Sequence, residues 1–227
     1  MERIVLFTDK KVVIWDLDNT LYRITPEIAD TLDETMAIAL IEDLNVPLSL
    51  PECKALVKQS YKEYRDGGEY FYQHYGISQK DLSFHYNKRN PVHLIEPYQN
   101  LALKLKKIPL EQYVFTASNR KTSEKILKRI GLYDMFHDHF YSVEDFGVYK
   151  KNENAEVYHK YCEKIGYKPS ECIFVDDSYS NLEFAKETGM TTIRIYYQNN
   201  SASDKKYIDA AFKGVEECVD ALISATK

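Results

Sequence analysis

Residues 12–20 read VVIWDLDNT, an apolar run that ends on two carboxylates flanking Leu17. The run is compact, rich in β-branched and aromatic residues, and continuous rather than alternating. That is the pattern of a strand covered on both faces of a parallel sheet, so Lys11–Asp18 reads as a buried strand. One aspartate at a strand end is ordinary. Two at i and i+2, followed by Asn19 and Thr20, ask for a chemical reason.

Outward from this strand the texture changes twice. After Tyr22, Thr25-Pro26 looks like an N-cap with proline at the first helical position, and Ile28, Leu32, Met36, Ala39 and Leu40 mark a helical stripe. A second helix is expected from Pro51 towards Arg65, broken at Gly67-Gly68, with tyrosine-rich helical pieces continuing to about Asn90. No strand is expected between Tyr22 and Pro91. From Pro97 strands and helices alternate: a helix face at Leu101, Leu105 and Ile108, then a strand over Gln112–Thr116, then a helix through Ile126, Leu127 and Ile130 that stops at Gly131. A helix over Glu153–Ile165 follows, then a strand at Cys172–Asp176 and a helix with capping-box spacing at Ser180 and Glu183. A strand at Thr191–Tyr196 and a helix with Val215, Cys218, Val219 and Leu222 on one face complete the chain. Strands alternating with helices imply right-handed crossovers and a parallel sheet. The expected fold class is therefore α/β: a doubly wound parallel-sheet core, residues 1–21 and 94–227, with an all-helical cap, residues 22–93, inserted after the first core strand. Residues 1–8 fit either an added strand or a loose arm.

The 227 residues are 44% hydrophobic with a net charge of −5, which gives no basic face for a nucleic-acid polymer. Cys53, Cys162, Cys172 and Cys218 are scattered without a Cys-x-x-Cys pair, against a zinc site or disulfide framework and in favour of a reducing compartment. No signal peptide is read, and no apolar stretch approaches the length of a membrane helix. A cytoplasmic protein without membrane attachment, monomeric or homodimeric, is the expectation.

In an open parallel sheet, ligands bind beyond the carboxyl ends of the strands. Asp16 and Asp18, Thr116 and Ser118, and Asp176 and Asp177 all fall at that edge, with Lys150-Lys151 in the connection before the Glu153 helix. Crowded carboxylates must protonate or bind a cation, and oxygen-only ligands without His or Cys suit Mg²⁺. A lysine, a hydroxyl and the backbone N–H groups of the loop after Thr116, from Ala117 on, could hold the remaining phosphate oxygens. The set reads as a receptor for a phosphoryl group and its metal. Asp16 would attack phosphorus and Asp18 would serve as acid and then base.

These motifs resemble the haloacid dehalogenase superfamily of phosphohydrolases. Asp16-Leu17-Asp18-Asn19-Thr20 matches its first motif, Thr116 at the end of YVFT its second, a lysine of VYKKN its third, and FVDDSYSN, with Asp176, Asp177 and Asn181, its fourth. The resemblance implies that Asp16 is nucleophile and metal ligand, and that Asp18 is acid/base and gives the metal its backbone carbonyl. It further implies that Thr116 and Ala117 bind phosphate, that Lys150 screens charge, with Lys151 as the other choice, and that Asp177 ligates Mg²⁺ with Asp176 beside it. DLDNTLY, FVDDSYSN and the tyrosine-rich cap look most like the pyrimidine 5′-nucleotidase branch. Two departures stand out: Thr116-Ala117-Ser118 replaces a Thr-Asn-Ala pattern, and Lys151 stands where that branch has proline. The implied substrate is a small phosphomonoester, a nucleoside 5′-monophosphate foremost. Sugar phosphates, phosphoglycolate, a mutase reaction and a catalytically inert binding module are the alternatives.

Two further stretches invite functional readings. His137-Asp138-His139 has no third soft ligand at suitable spacing and reads as solvated loop. The cap sequence YKEYRDGGEYFYQHY, residues 61–75, with Phe84 and Tyr86, could stack a nucleobase, but tyrosines of this kind more often pack a small core.

Overall fold

Val12–Trp15 form strand β1, with all four residues buried, in a computed structural model that describes residue 7 and residues 9–98, 100–197 and 205–225. Apart from Phe7, the 1–8 stretch lies outside the described residues. The strand is shorter than its apolar pattern suggests because the chain turns at once. The Thr20 and Leu21 N–H groups both return to the Leu17 carbonyl, at 3.4 and 3.1 Å, and Asn19 adopts a φ of 56°. Asn tolerates that left-handed backbone better than most residues.

Five more strands complete one sheet: β2 Glu111–Thr116, β3 Phe140–Ser142, β4 Cys172–Asp176, β5 Thr191–Tyr196 and β6 Ala210–Lys213. Their order is β3-β2-β1-β4-β5-β6, with every neighbouring pair parallel. This is a doubly wound α/β sheet, and the order reverses around β1. In register, Trp15 pairs with Val114 of β2 and Val175 of β4, and the Asp16 N–H donates to the Val175 carbonyl at 2.8 Å. The strand ends that carry Asp16, Thr116 and Asp176 are thereby brought side by side. β3 and β6 were not expected from the sequence. Both are short edge strands of three and four residues, too short to show a period.

The chain divides into two compact units, Met1–Arg23 with Glu96–Lys227, and Ile24–Ile95. In the second unit, helix α1 (Pro26–Ile38) starts at Thr25, whose hydroxyl accepts the Ile28 N–H, and runs into a π-turn at Ala39–Asp43. Helix α2 (Leu50–Tyr64) starts where the Ser49 N–H donates to the Glu52 carboxylate, and it ends at Arg65 in the left-handed region. Helices α3 (Glu69–Tyr75) and α4 (Gln79–Lys88) follow. Among the described residues of this unit no strand occurs. Its core is Ala37, Leu40, Val46, Cys53, Val57, Phe71 and Leu82, and Tyr70, Tyr72, Tyr75 and Tyr86 pack against it. Those tyrosines serve the unit's own packing, while Tyr61, Tyr64 and Phe84 are exposed.

In the first unit the helices are α5 (Leu101–Leu105), α6 (Arg120–Arg129), α7 (Tyr133–Phe136), α8 (Glu156–Ile165), α9 (Tyr179–Glu187) and α10 (Gly214–Ala225). Val12, Ile14, Phe115 and Phe174 of the sheet pack with Val157, Tyr158, Tyr161 and Leu182 of α8 and α9. On the strand's alternate positions, the Trp15 indole N–H donates to the buried Gln112 side chain at 3.2 Å. Gln112 in turn donates to the Leu105 carbonyl at 2.9 Å. Helix α9 is capped at Ser178 rather than Ser180, because the Ser178 N–H turns back onto the Asp176 carboxylate at 2.8 Å. Among the described residues, no helix is long and apolar enough to cross a membrane.

Candidate active site

Asp16 continues β1 by one residue, and Asp176 is the last residue of β4 beside it, so both carboxylates emerge at the same sheet edge. Asp177 follows at the turn into α9. Oxygen atoms of Asp16, Asp176 and Asp177 all lie within 4.8 Å of one another. Asp16 and Asp176 are buried and Asp177 is half-buried.

The cation that meets the carboxylates of this cluster is Lys151, the second lysine of the pair. The Lys151 ammonium donates to Asp16 Oδ1 at 2.5 Å, to Asp176 Oδ2 at 2.7 Å and to the Phe115 carbonyl at 3.3 Å. It is 3% exposed and lies between the Phe115 and Phe174 rings, with Nζ 5.7 and 5.5 Å from their centroids. Lys150 is only half-buried. One lysine of the pair is turned into the cluster and the other is not. Residue type alone does not say which.

Further donors to the cluster are N–H groups. Asp176 accepts from the Ser178 N–H at 2.8 Å and from the Asn181 amide at 3.2 and 3.1 Å, and Asp177 Oδ2 accepts from the Asn19 amide at 2.7 Å. The left-handed turn at Asn19 is what brings its side chain across to β4.

Burial pushes the Asp16 carboxyl well above its usual range, opposed by Lys151 and reinforced by the charges of Asp176, Asp18 and Asp177. Burial, with the Asp176 charge, raises Asp177 to about 7, against the hydrogen bond from Asn19. Burial alone would lower Lys151, but the charges of Asp16 and Asp176 overcome it and raise the ammonium. The cluster is short of positive charge: three carboxylates face one ammonium. An all-oxygen donor set of this size, buried and without His or Cys, fits a hard divalent cation such as Mg²⁺.

Asp18 stands apart from this cluster. Its Oδ1 accepts from the Tyr22 hydroxyl at 2.7 Å, and its Oδ2 accepts from Ser118 Oγ at 2.9 Å and Thr116 Oγ1 at 3.2 Å. Ammonium and amide N–H groups only donate, so they favour the ionised form of the carboxylates they meet, against the burial that raises Asp16 and Asp177. Hydroxyls both donate and accept, so they match a carboxyl that gains and loses a proton.

Thr116 is fully buried at the end of β2, and its Oγ1 also accepts the Ser118 N–H at 3.0 Å. This closes the turn into α6, which Asn119 caps by accepting the Thr122 N–H at 2.9 Å. Ala117 is exposed on that turn. The sequence motifs hold Asn19 and Ser118 without giving either a partner, and Tyr22 enters them only as the last residue of DLDNTLY. Its position four residues after Asp18, on the turn closed by the Leu21 N–H, was the available signal.

Residues 10–189 match a family model described as haloacid dehalogenase-like hydrolase. A hydrolase from Pseudomonas syringae superposes with a TM-score of 0.65 at 15% identity, covering 95% of this chain and 99% of its own. A haloacid dehalogenase-family hydrolase from Deinococcus radiodurans, solved with bound phosphate and sodium, gives 0.62 at 15% identity over 96% of each chain. L-2-haloacid dehalogenase from Xanthobacter autotrophicus, with chloropropionic acid covalently bound, gives 0.60 at 16% identity over 93% of this chain and 97% of its own. At such identities the likeness establishes the fold.

Proposed function

The chain belongs to the haloacid dehalogenase-like hydrolases, and on that premise we propose that it is a cytoplasmic, Mg²⁺-dependent phosphomonoesterase acting through an aspartyl-phosphate on a small soluble phosphate. The observation that carries this reading is the division of labour among four carboxylates. Asp16, Asp176 and Asp177 are gathered around N–H donors and Lys151, while Asp18 is held separately by three hydroxyls. Displacement of halide from carbon needs no acid for its leaving group, so a separately held carboxyl would have no task in it. Departure of an alkoxide from phosphorus does need one.

In this mechanism Lys151 holds Oδ1 of Asp16 and leaves the other oxygen to attack phosphorus. The bond from phosphorus to the ester oxygen breaks, and Asp18 delivers its proton to that oxygen. Asp18 then takes a proton from the water that attacks the aspartyl-phosphate, and cleavage of the bond between phosphorus and the Asp16 oxygen releases phosphate and restores the carboxylate. Thr116 and the backbone of Ala117 line the turn where the phosphate oxygens would lie. Mg²⁺ would be held by Asp16, Asp176 and Asp177 with the Asp18 carbonyl, offsetting the repulsion between these carboxylates and a phosphate dianion. Nucleoside 5′-monophosphates are the first substrate class to test, on the resemblance of DLDNTLY and FVDDSYSN to the pyrimidine 5′-nucleotidase branch alone.

The test is purified protein with Mg²⁺ against nucleoside monophosphates, sugar phosphates, phosphoglycolate and p-nitrophenyl phosphate, scored by free phosphate, and against 2-chloropropionate, scored by chloride. Phosphate release is expected, lost on EDTA treatment and reduced at least about 10³-fold in Asp16→Asn. Chloride without phosphate would make the protein a dehalogenase. An isomerised sugar phosphate without free phosphate would make it a mutase, and no turnover at all would leave a binding module.

A further inference from the structure

Two of the three hydroxyls on Asp18, those of Thr116 and Ser118, meet the same oxygen, Oδ2. On their own they would let the carboxyl rotate about that anchored end. Tyr22 takes the other oxygen, Oδ1, at 2.7 Å. With both oxygens tethered, the plane of the carboxyl is fixed. Ser118 sits on a half-buried turn, whereas Tyr22 is 3% exposed and starts from the backbone turn that follows Asp18. The phenol oxygen is therefore placed by packing of the ring and not by a loose stem.

We infer that Tyr22 is a positioning residue that sets the orientation of Asp18 for proton delivery to the leaving group; this rests on the phosphomonoesterase reading. Tyr22 touches Asp18 and not the reacting atoms. Its effect is geometric, and misplacement of a reacting group by about 1 Å costs on the order of 10²-fold in rate.

The distinguishing measurement compares two esters. An alkyl phosphate leaves as an alkoxide, which must take the Asp18 proton as its bond to phosphorus breaks. p-Nitrophenolate is a weak base and leaves without one. kcat/KM reports steps up to leaving-group departure, so hydrolysis of the aspartyl-phosphate, common to both esters, drops out. Tyr22→Phe removes one oxygen and keeps the ring. It is expected to lower kcat/KM for the alkyl ester on the order of tenfold or more, and for p-nitrophenyl phosphate less than about threefold. Asp18→Asn, as reference, should show a larger split in the same direction. Ser118→Ala, on a turn outside the core, should show a smaller one even if Tyr22→Phe proves hard to fold. Equal losses on the two esters, or no loss on either, overturn the Tyr22 assignment alone. Wild-type protein that releases phosphate from neither ester overturns the phosphomonoesterase reading, and the role of Tyr22 falls with it.

Discussion

Lys151→Met removes an ammonium that contacts both Asp16 and Asp176 and leaves an apolar side chain of similar length between the Phe115 and Phe174 rings. Breaking a buried pair by deleting one partner typically costs about 3–5 kcal/mol, because a charge is left buried without compensation. The site itself caps that cost, since an orphaned carboxylate can take up a proton instead. From a reference carboxylate pKa near 3.9, protonation costs about 4 kcal/mol at pH 7 and about 1.5 kcal/mol at pH 5. The sign is fixed. The variant's folded state holds a proton that its unfolded state has lost, so its stability falls as pH rises between these values. For a chain of this size, about 2–4 °C per kcal/mol gives a fall in Tm of roughly 8–16 °C at pH 7 and roughly 3–6 °C at pH 5. The measurement is thermal unfolding in EDTA, followed by fluorescence of the single tryptophan, Trp15, one residue before Asp16. Lys150→Met is the control and is expected to shift Tm little at either pH. A Lys151→Met deficit that does not shrink from pH 7 to pH 5, or a Lys150→Met variant damaged as much, refutes this assignment of the site's cation.

Gln112→Leu is expected to cost about 1–3 kcal/mol in urea unfolding, because it strands both the Trp15 indole N–H and the Leu105 carbonyl in the core; a neutral result would mean that the glutamine's bonds are replaced within the core. In the Ile24–Ile95 unit, hydrogen bonds from Lys58 and Lys54 hold Asp30 down at about 2. The unfolded chain takes the proton first as pH falls, so this contribution is complete above about pH 4 and disappears as pH drops towards 2. Asp30→Asn should therefore flatten the acid limb of stability over that window, and an acid limb superimposable on the wild type would show the pairs to be without effect.

The fold was legible where apolar runs were long and bounded. The strands at Cys172–Asp176 and Thr191–Tyr196 lie where their sequences put them, because buried central strands are written as continuous β-branched and aromatic runs. β3 and β6 were not legible. An edge strand with one neighbour and three or four residues is fixed by pairing with β2 or β5, a tertiary effect with no local signature. Asp16, Asp18, Asp176 and Asp177 could be anticipated because a carboxylate at a strand end conflicts with the apolar pattern around it. Lys151 could not be separated from Lys150, since which of two adjacent side chains turns inwards depends on the path of the connection. Tyr22 looked like one more aromatic residue, and only its hydroxyl's distance to Asp18 distinguishes it.

Among the described strands β1 is the first to be synthesised, yet both of its neighbours come much later: Val12 pairs with Glu111 on one side and Cys172 on the other. Lys151 follows Asp16 by 135 positions. At ribosomal speeds of about 5–20 residues per second, that interval lasts roughly 7–30 seconds. Until Glu111 is made the nascent chain carries a fully apolar strand with no template, and until Lys151 is made Asp16 lacks its counter-ion. The helical segment made in the interval has its own core, and by condensing early it would shorten the tether that β1 must close. Translation that stalls after that segment and before Cys172 would leave β1 with an exposed, pairing-competent edge.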